Sequence, residues 1–546
     1  MSTMSRPQVA PVWRRRLALG GAIAALVVLP LIPGALATGS VVDLVRIPVE
    51  SIVVLLVLAL IPRRMLRRAV AAAFGVFVAV AVLLASIDRG YEAALGIHFV
   101  PLDWLQLGDA YGVVASAIGP APASAVFTAA VALIVAVGFA AGWAALRVDA
   151  ALRRQGDRGR TVLAAVTAAW IVMAAVAPPL RIQDPVAAAA SATSVGSAVS
   201  RTVSALETRA RVARDVADDP FAAVPAPELL TALQGKDVLF VFVESYGRVA
   251  LEGDGISDGV NDVLRRGDET LRSDGYATRS AWLTSPTYGG VSWLAHSTLQ
   301  TGVWVDSQAV YDLVVRTDRL TLSAAFGRAG WRTVSDVPSN RHPWDVGTSF
   351  YHYDTLLDAT NVGYRGPSFG YARIPDQYTL KHFADQVLAP SDLPVMAELD
   401  LVSSHTPWAP LPELVPWAEV GDGSIYDDQP ARSQQASEVW KDPKTVQRYY
   451  GKSVEYTLGS MLSFLENVDD PNLVVVMLGD HQPAAIVSGE GASRDVPISI
   501  IAKDPAVFDA IADWNWTAGL RPSDASPVWR MDAFRDRVFT AYGSAG

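Results

Sequence analysis

The chain has 546 residues, more than one ordinary domain contains, and 51% of them are hydrophobic. Its formal net charge of -10 argues against a nucleic-acid binder, because no basic face large enough to neutralise phosphates is visible. The absence of cysteine excludes disulfides, thiolate metal sites and cysteine nucleophiles. Together with a positive mean hydropathy, this composition indicates a membrane protein.

The apolar residues are concentrated in the first third of the chain. Residues 1–182 contain no lysine and hold five stretches long enough to cross about 30 Å of hydrocarbon. The predicted spans are residues 17–38, 41–62, 69–87, 125–146 and 161–180. The first also has the features of a cleaved signal peptide, with arginines before it and Ala35-Leu36-Ala37 at its end. Under either interpretation, four further spans keep the chain in the membrane.

Arginines fall at alternate ends of these spans. Positively charged short loops stay in the cytoplasm. The positions of these arginines therefore predict a cytoplasmic N-terminus and an extracytoplasmic C-terminal part. We therefore expect a multi-pass protein of a plasma membrane, in a bacterial cell. The predicted organisation is a transmembrane domain over residues 1–182, a linker over 183–235 and an extracytoplasmic domain over 236–546.

The linker is rich in small and polar residues and lacks a sustained apolar period. A helix is predicted over residues 202–218, ending before Asp219-Pro220. Residues 183–203 are interpreted as a linker or as a helix that lies on the surface. The simplest role for the segment is a spacer that lifts the outer domain off the bilayer.

From Lys236 onward, strand and helix patterns alternate. Apolar runs predict strands at residues 238–244, 331–337, 395–402, 473–479 and 496–502, and helices are predicted at 257–274, 292–301 and 444–467. This alternation is typical of a central, mostly parallel sheet flanked by helices. The predicted fold class is therefore an N-terminal multi-span α-helical membrane domain followed by an α/β domain.

Three of these strands end in a group with useful chemistry. Glu244 follows VLFVFV, His405 follows the strand at 395–402, and Asp480-His481 follows LVVVMLG. Open α/β sheets bind ligands outside the carboxyl ends of their strands. Glu244, Asp480 and His481 together offer two carboxylates and one imidazole, which suit a divalent metal. Taken singly, Glu244 is also explained as a helix cap or as the salt-bridge partner of Arg248. Asp480-His481 is also explained as a turn with a capping aspartate and a surface histidine.

A candidate nucleophile lies in the segment from Thr287 to Gly302. Gly289-Gly290 lets the backbone approach a ligand, and Ser292 stands where a helix is predicted to begin. A helix N-terminus binds a tetrahedral anion through its free N–H groups. A serine hydroxyl held there by a divalent cation becomes a nucleophile near neutral pH. The structural alternative is a capping serine without chemistry.

Four segments carry a resemblance to a known family: FVFVESYG at 240–247, the block at 292–302, SSHTPW at 403–408 and GDHQP at 479–483. They resemble the alkaline phosphatase and sulfatase superfamily. With five predicted spans before an outside domain, the chain is most similar to lipoteichoic acid synthases and related phosphoglycerol or phosphoethanolamine transferases. The resemblance covers about residues 236–545 by motif and the first 182 by topology only. It implies a central mixed sheet between helices, with a metal at the strand ends.

The resemblance also implies roles for the residues at matching positions. Glu244, Asp480 and His481 would bind the metal, and Ser292 would be both its fourth ligand and the nucleophile. His405 matches a histidine that contacts substrate, where it holds the phosphate or assists the leaving group.

Residues after the strand at 331–337 match less directly. Arg341, His342 and Trp344 fall where lipoteichoic acid synthases hold glycerol phosphate, and Arg341 suits a bidentate phosphate contact. His342 and Trp344 are equally explained by loop packing. His296 is expected to be structural.

Two departures from the family pattern bear on the chemistry. Lipoteichoic acid synthases use a threonine nucleophile, whereas here Ser292 takes that place, with Thr287 as the fallback. Sulfatases convert a residue of a C/S-x-P-x-R pattern into formylglycine, but the segment from Ser292 to His296 has neither the proline nor the arginine. The expected chemistry therefore moves from sulfate esters to phosphoryl transfer. Only one metal-binding set is visible.

The resemblance thus implies a metal-dependent transferase that moves a phospholipid head group of the phosphoglycerol type to an envelope glycan or polymer, through a phosphoserine intermediate. One divalent metal is expected, Mn before Zn or Mg. One alternative is a hydrolase of the same superfamily, either a phosphodiesterase or a sulfuric ester hydrolase. The other is a catalytically inactive envelope scaffold. No nucleic-acid partner is expected.

Overall fold

The computed structural model describes residues 12–95, 98–106, 108, 111–112, 114–115, 119–176, 187–389 and 392–544. The chain divides into two compact units, each with its own hydrophobic core. The first unit comprises Met1–Glu92, His98–Trp104 and Pro120–Ser204. The second comprises Ala93–Ile97, Leu105–Gly119 and Ala205–Gly546.

The N-terminal part of the chain is helical. Its helices are α1 (Val12–Val28), α2 (Ile32–Thr38), α3 (Val49–Leu60), α4 (Arg64–Leu95), α5 (Pro120–Arg154), α6 (Asp157–Val176) and α7 (Ala190–Ala217). Helices α4 and α5 approach closely because both present glycine at the contact. A Cβ on Gly75 would lie 2.3 Å from the carbonyl oxygen of Gly138. Small residues at such positions are how helices pack within a membrane.

Three stretches in the described residues are long and apolar enough to cross a membrane, namely Trp13–Thr38, Arg64–Ala93 and Pro120–Arg154. These stretches confirm that the predicted spans at 17–38, 69–87 and 125–146 lie in long apolar helices. The predicted span at 161–180 begins within α6, and residues 177–180 lie outside the described part of the chain. Five spans and their orientation therefore stay predictions.

The segment at 41–62 differs from the predicted span. Its helix α3 has 12 residues, which rise only about 18 Å along the axis. Two prolines set these limits. Pro48 has an extended conformation before the helix, and Pro62 restricts Ile61, which is also extended, after it.

Helix α7 begins at Ala190, earlier than the predicted helix at 202–218. A distant residue caps its first turn, since Glu50 accepts a hydrogen bond from the N–H of Ala192 at 3.1 Å. A carboxylate at a helix N-terminus is stabilising because it meets unpaired N–H groups and the positive end of the dipole. The boundaries 1–182, 183–235 and 236–546 stay predictions.

The second unit is built on a nine-stranded mixed sheet. Its strands are β1 (Asp237–Val243), β2 (Ala277–Thr284), β3 (Arg332–Val337), β4 (Thr355–Asp358), β5 (Val395–Leu401), β6 (Leu473–Gly479), β7 (Asp495–Ala502), β8 (Thr517–Ala518) and β9 (Val528–Arg530). The order is β8-β2-β7-β6-β1-β5-β3-β4, with β9 also paired to β2. Strands β6, β1, β5, β3 and β4 are parallel, whereas β7 and β8 run antiparallel to their neighbours.

Helices cover both faces of this sheet, each over its own core. The longer ones are α8 (Ser257–Ser273), α9 (Ser292–Thr301), α10 (Gln308–Val314), α11 (Leu322–Arg328), α12 (Asp376–Phe383), α13 (Pro443–Asn467) and α14 (Phe534–Tyr542). The predicted fold class is confirmed. Because the five central strands are parallel, their carboxyl ends all lie at one edge of the sheet.

A buried ion pair joins the two ends of the second unit. The guanidinium of Arg535, on α14 and fully buried, donates two hydrogen bonds of 3.0 Å to the carboxylate of Asp219. Arg319 lies 3.3 Å from the same carboxylate. The segment that follows α7 is thereby attached to the last helix of the chain.

Candidate active site

Four side chains predicted as one set meet at the carboxyl edge of the central strands. The hydroxyl of Ser292 donates to Glu244 Oε2 at 3.0 Å and lies 3.2 Å from His481 Nε2. His481 Nε2 is 3.4 Å from Glu244 Oε1 and 3.4 Å from Asp480 Oδ2. The structure therefore brings the predicted set together, and the roles of its members stay predictions.

Glu244 is placed by the end of β1. Its N–H donates to the carbonyl of Leu401 on the neighbouring strand β5 at 3.0 Å, and its carbonyl accepts from Ser404 Oγ at 2.6 Å. Burial alone would raise the pKa of this carboxyl. The nearby imidazoles of His405 and His481 outweigh burial and lower the pKa of Glu244 to about 2. The side chain is therefore a carboxylate, although the residue is only 9% exposed.

Asp480 and His481 are placed by the close approach of two loops. A Cβ on Gly479 would lie 1.9 Å from the carbonyl oxygen of Tyr246, so only glycine fits at the end of β6. Burial, together with the carboxylate of Glu244, raises the pKa of Asp480 to about 6. His481 Nδ1 lies 2.9 Å from the carbonyl of its neighbour Gln482, to which it donates, and this leaves Nε2 as the acceptor that faces Ser292.

Ser292 is the first residue of α9, as predicted. The chain enters this helix through Gly289, Gly290 and Val291, whose φ angles of 72°, 156° and 58° turn it sharply. The N–H of Gly289 donates to the carbonyl of Gln482 at 2.8 Å. The segment that carries the serine is thus bonded to the segment that carries Asp480 and His481.

Thr287, the fallback nucleophile, points elsewhere. Its hydroxyl is 3.4 Å from Ser285 Oγ, which in turn donates to the main-chain carbonyl of Asp480 at 2.6 Å. Among the described residues, Thr287 shows no hydrogen bond to Glu244 or His481. The geometry therefore favours Ser292 as the nucleophile.

His405 lies beside this set. Its ring stacks on Tyr371 with centroids 3.7 Å apart, and its Nδ1 is bonded to the carbonyl of Thr406 at 2.5 Å. Burial lowers the pKa of His405, which favours the neutral ring. The preceding residue, Ser404, donates to the carbonyl of Glu244 at 2.6 Å and so keeps His405 close to the set.

Arg341, His342 and Trp344 follow β3 and so belong to the same edge of the sheet. Arg341 and His342 are exposed, and the described residues show no bond between them and Ser292. Trp344 packs against the rings of Tyr351 and Tyr353, with centroids 5.4 and 6.3 Å away, as the loop-packing alternative predicts. Contacts of these residues with substrate stay predictions.

A second group of ligand-type residues, which the sequence did not reveal, lies under α9. His296 Nδ1 is 3.0 Å from Glu398 Oε1 and 3.5 Å from Asp400 Oδ1, and its ring stacks on Phe242 at 3.8 Å. Burial opposes a charge on this ring, but Asp400 and Glu398 outweigh it and raise the pKa of His296 to about 9. The hydroxyl of Tyr353 donates a hydrogen bond to the other oxygen of Glu398, Oε2, at 3.0 Å. The group is therefore an ion pair, in line with the structural role expected of His296.

The first set fits a divalent cation. The ligand atoms of Glu244, Asp480 and His481 lie within 4.8 Å of one another. Ligands at about 2.0–2.2 Å from one ion are separated by distances of this order. In addition, Asp480 Oδ2 is buried and has no hydrogen-bond partner among the described residues. Buried polar atoms are rarely left unpaired, so the donor set and this oxygen both support a metal.

No family model matches this chain, and no curated protein matches it. Similar solved structures include the integral membrane protein lipooligosaccharide phosphoethanolamine transferase A (EptA) from Neisseria meningitidis, 14% identical with a TM-score of 0.46, covering 96% of this chain and 95% of that chain. The phosphoglycerol transferase GacH from Streptococcus pyogenes, in complex with sn-glycerol-1-phosphate, is 15% identical with a TM-score of 0.37, covering 62% and 81%.

The lipoteichoic acid synthase LtaP from Listeria monocytogenes is 14% identical with a TM-score of 0.35, covering 58% of this chain and 74% of that chain. At such identities and TM-scores these similarities add no evidence on family or mechanism. The function proposed below therefore rests on the geometry of the site.

Proposed function

We propose that this chain is a membrane-anchored, metal-dependent phosphoryl-transfer enzyme with Ser292 as its nucleophile. The observation that carries the proposal is the position of Ser292 Oγ, 3.0 Å from Glu244 Oε2 and 3.2 Å from His481 Nε2. Because Ser292 begins α9, its hydroxyl lies at the N-terminus of a helix. N–H groups at a helix N-terminus that have no partner within the helix bind a phosphate well.

Glu244, Asp480, His481 and Ser292 would hold the metal, with Mn preferred and Zn or Mg as alternatives. When bound, a divalent cation supplies charge neutralisation at the phosphoryl oxygens and lowers the pKa of a hydroxyl. The carboxylate of Glu244, kept ionised by its low pKa, would offer the ion a negative charge without first losing a proton.

In the proposed reaction Ser292 Oγ bonds to phosphorus and its proton passes through solvent to the neutral ring of His405, while the bond from phosphorus to the diacylglycerol oxygen breaks. His405 gives this proton to the diacylglycerol oxygen and is neutral again. In the second half, the acceptor hydroxyl bonds to phosphorus and passes its proton to His405. The bond from phosphorus to Ser292 Oγ breaks, and Oγ takes that proton from His405. The phosphoserine exists between the two halves.

The donor proposed is a phospholipid with a phosphoglycerol-type head group, and the acceptor is a glycan or polymer of the cell envelope. Long apolar helices hold the enzyme at the bilayer, where such a donor resides. Arg341, exposed at the same sheet edge, is proposed to bind the head group. The site would face the outer side of the plasma membrane.

The experiment uses the full-length chain in detergent micelles with Mn and a fluorescent phosphatidylglycerol. We expect diacylglycerol release by the native chain, and a loss of more than about 10³-fold in Ser292→Ala, because a covalent nucleophile is removed. Ser297→Ala, which alters a buried serine on the same helix, is the control and keeps the activity.

Other outcomes separate the alternatives. Release that is lost in Thr287→Val but not in Ser292→Ala would contradict Ser292. Release without transfer to any added glycan would favour a hydrolase, and cleavage of a sulfate ester alone would favour a sulfatase. If the native chain and Ser292→Ala are equally inactive on all donors, including phosphatidylethanolamine, the inactive scaffold becomes the better interpretation.

A further inference from the structure

Ser245, the residue after Glu244, has an unusual backbone conformation. Its φ angle is 56°, in the left-handed region that glycine adopts freely and other residues adopt rarely. A glycine or asparagine would make the same turn with less strain. A strained non-glycine residue at a functional site points to a task for its side chain.

The bonds made by Ser245 reach both carboxylates of the candidate metal site. Its N–H donates to Asp480 Oδ1 at 2.7 Å, and its hydroxyl donates to Glu244 Oε1 at 2.8 Å. Its carbonyl accepts from the buried hydroxyl of Tyr450, on α13, at 2.8 Å. The left-handed conformation is what lets the N–H and the hydroxyl serve two different loops at once.

Each of these carboxylates has one oxygen that Ser245 does not bond. Glu244 Oε2 accepts from Ser292, and Asp480 Oδ2, which has no partner among the described residues, lies 3.4 Å from His481 Nε2. Hydrogen bonds from neighbouring residues commonly fix the orientation of carboxylates that bind metals. Ser245 makes this kind of bond to both carboxylates.

We propose that Ser245 is a positioning residue of the metal centre. Its hydroxyl holds Oε1 of Glu244 and so leaves Oε2 to be offered to the ion, and its N–H, together with that of His481 at 2.7 Å, holds Oδ1 of Asp480. This inference rests on the proposed function, since it assumes that the proposed set binds a metal. Ser245 itself would not touch the metal or the substrate. Its effect would be seen in metal affinity, separately from folding stability.

The test compares Ser245→Ala and Ser245→Gly in the full-length chain, in detergent and without lipid. Affinity for Mn and for Zn is measured by competition with a chelating dye, and thermal unfolding is measured on the metal-free chain. Both variants lose the hydroxyl, so we expect affinity to fall about 10–100-fold in each. Ser245→Gly also relieves the strained conformation, so it should unfold at a higher temperature than Ser245→Ala.

Ser453→Ala is the matched control, because Ser453 is equally buried and its hydroxyl bonds within α13 to the carbonyl of Tyr450 at 2.7 Å. It should lower stability and leave metal affinity within about twofold. If both Ser245 variants bind metal with native affinity while Glu244→Gln binds it more weakly, the inference about Ser245 would be overturned and the metal site would stand. Native affinity in Glu244→Gln would instead overturn the metal site and with it the proposed function.

Discussion

Two carboxylates at the strand ends have opposite protonation tendencies although they share one site. The pKa of Glu244 is lowered to about 2, whereas that of Asp480 is raised to about 6. The difference arises because two like charges in one buried place are costly, so Glu244 keeps its charge while burial and that charge raise the pKa of Asp480. A divalent ion would remove this conflict by neutralising both.

His296 provides a test of charge at the residue scale. Its folded-state pKa of about 9 exceeds the value of about 6.5 in unfolded chains, so its protonation favours the folded state. The contribution is fully present below about pH 6.5 and is lost as the pH rises through 9. It amounts to at most about 3 kcal/mol.

We therefore expect the unfolding temperature of the native chain in detergent to fall between pH 6.5 and 9. His296→Gln, which keeps a donor toward Glu398 but cannot titrate, should show a much shallower decline over the same range. Identical slopes for the two chains would show that His296 does not carry the proton. The slope from pH 5 to 6, where His296 is charged in both folded and unfolded chains, serves as the internal control.

At the scale of elements, the longer strands were predictable except β2, and the short ones were not. Strands β1, β3, β5, β6 and β7 were predicted within one residue at their starts and ends. Strand β2 was missed because ATRSAWLT mixes polar and apolar residues. Its polar side chains find partners across the sheet, as Ser280 does with Ser499 Oγ at 2.8 Å.

The candidate site was predictable because its residues follow the ends of predicted strands or begin a predicted helix. The rule that ligands bind beyond the carboxyl ends of strands placed Glu244 and Asp480-His481 together, and the start of α9 placed Ser292. Ser245 was missed because a left-handed conformation at a serine has no sequence signature. The second group around His296 was missed because α9 and β5 are distant in sequence.

The junction between β6 and the loop after β1 gives a prediction for these elements. A methyl group added in Gly479→Ala would lie 1.9 Å from the carbonyl oxygen of Tyr246, which is main chain and cannot move aside alone. We expect a loss of about 1–3 kcal/mol in stability, as for other overpacked sites. Metal affinity should fall as well, because the two loops carry Glu244 and Asp480.

Denaturant unfolding and the dye competition assay measure these two effects in the same preparation. Gly327→Ala is the control for adding a methyl group without a clash, because an added Cβ there meets only the side chain of Thr333 at 3.6 Å. An unchanged Gly479→Ala chain would mean that the loops separate without cost. A loss in Gly327→Ala as large as in Gly479→Ala would contradict the clash with Tyr246 as its cause.

At the scale of the whole molecule, the orientation in the membrane is the main prediction still to be tested. The sequence contains no cysteine, so a single introduced cysteine is a unique label. Gln155, in the turn between α5 and α6, is exposed and is predicted to lie in the cytoplasm. Asp524, exposed in the second unit, is predicted to lie outside.

A membrane-impermeant maleimide applied to intact expressing cells should label Asp524→Cys. Gln155→Cys should be labelled only after the cells are permeabilised. The native chain, without cysteine, sets the background. The reverse pattern would place the candidate active site in the cytoplasm and would contradict an envelope acceptor.

The ion pair between Asp219 and Arg535 decides how the second unit can be produced as a separate fragment. A fragment that starts at Lys236, just before β1, would keep every strand of the sheet but would leave the buried guanidinium of Arg535 without Asp219. Removing one partner of a buried ion pair costs about 3–5 kcal/mol, a large part of the stability of an ordinary domain. Expression trials should therefore place the first residue before Asp219 and retain the whole of α14.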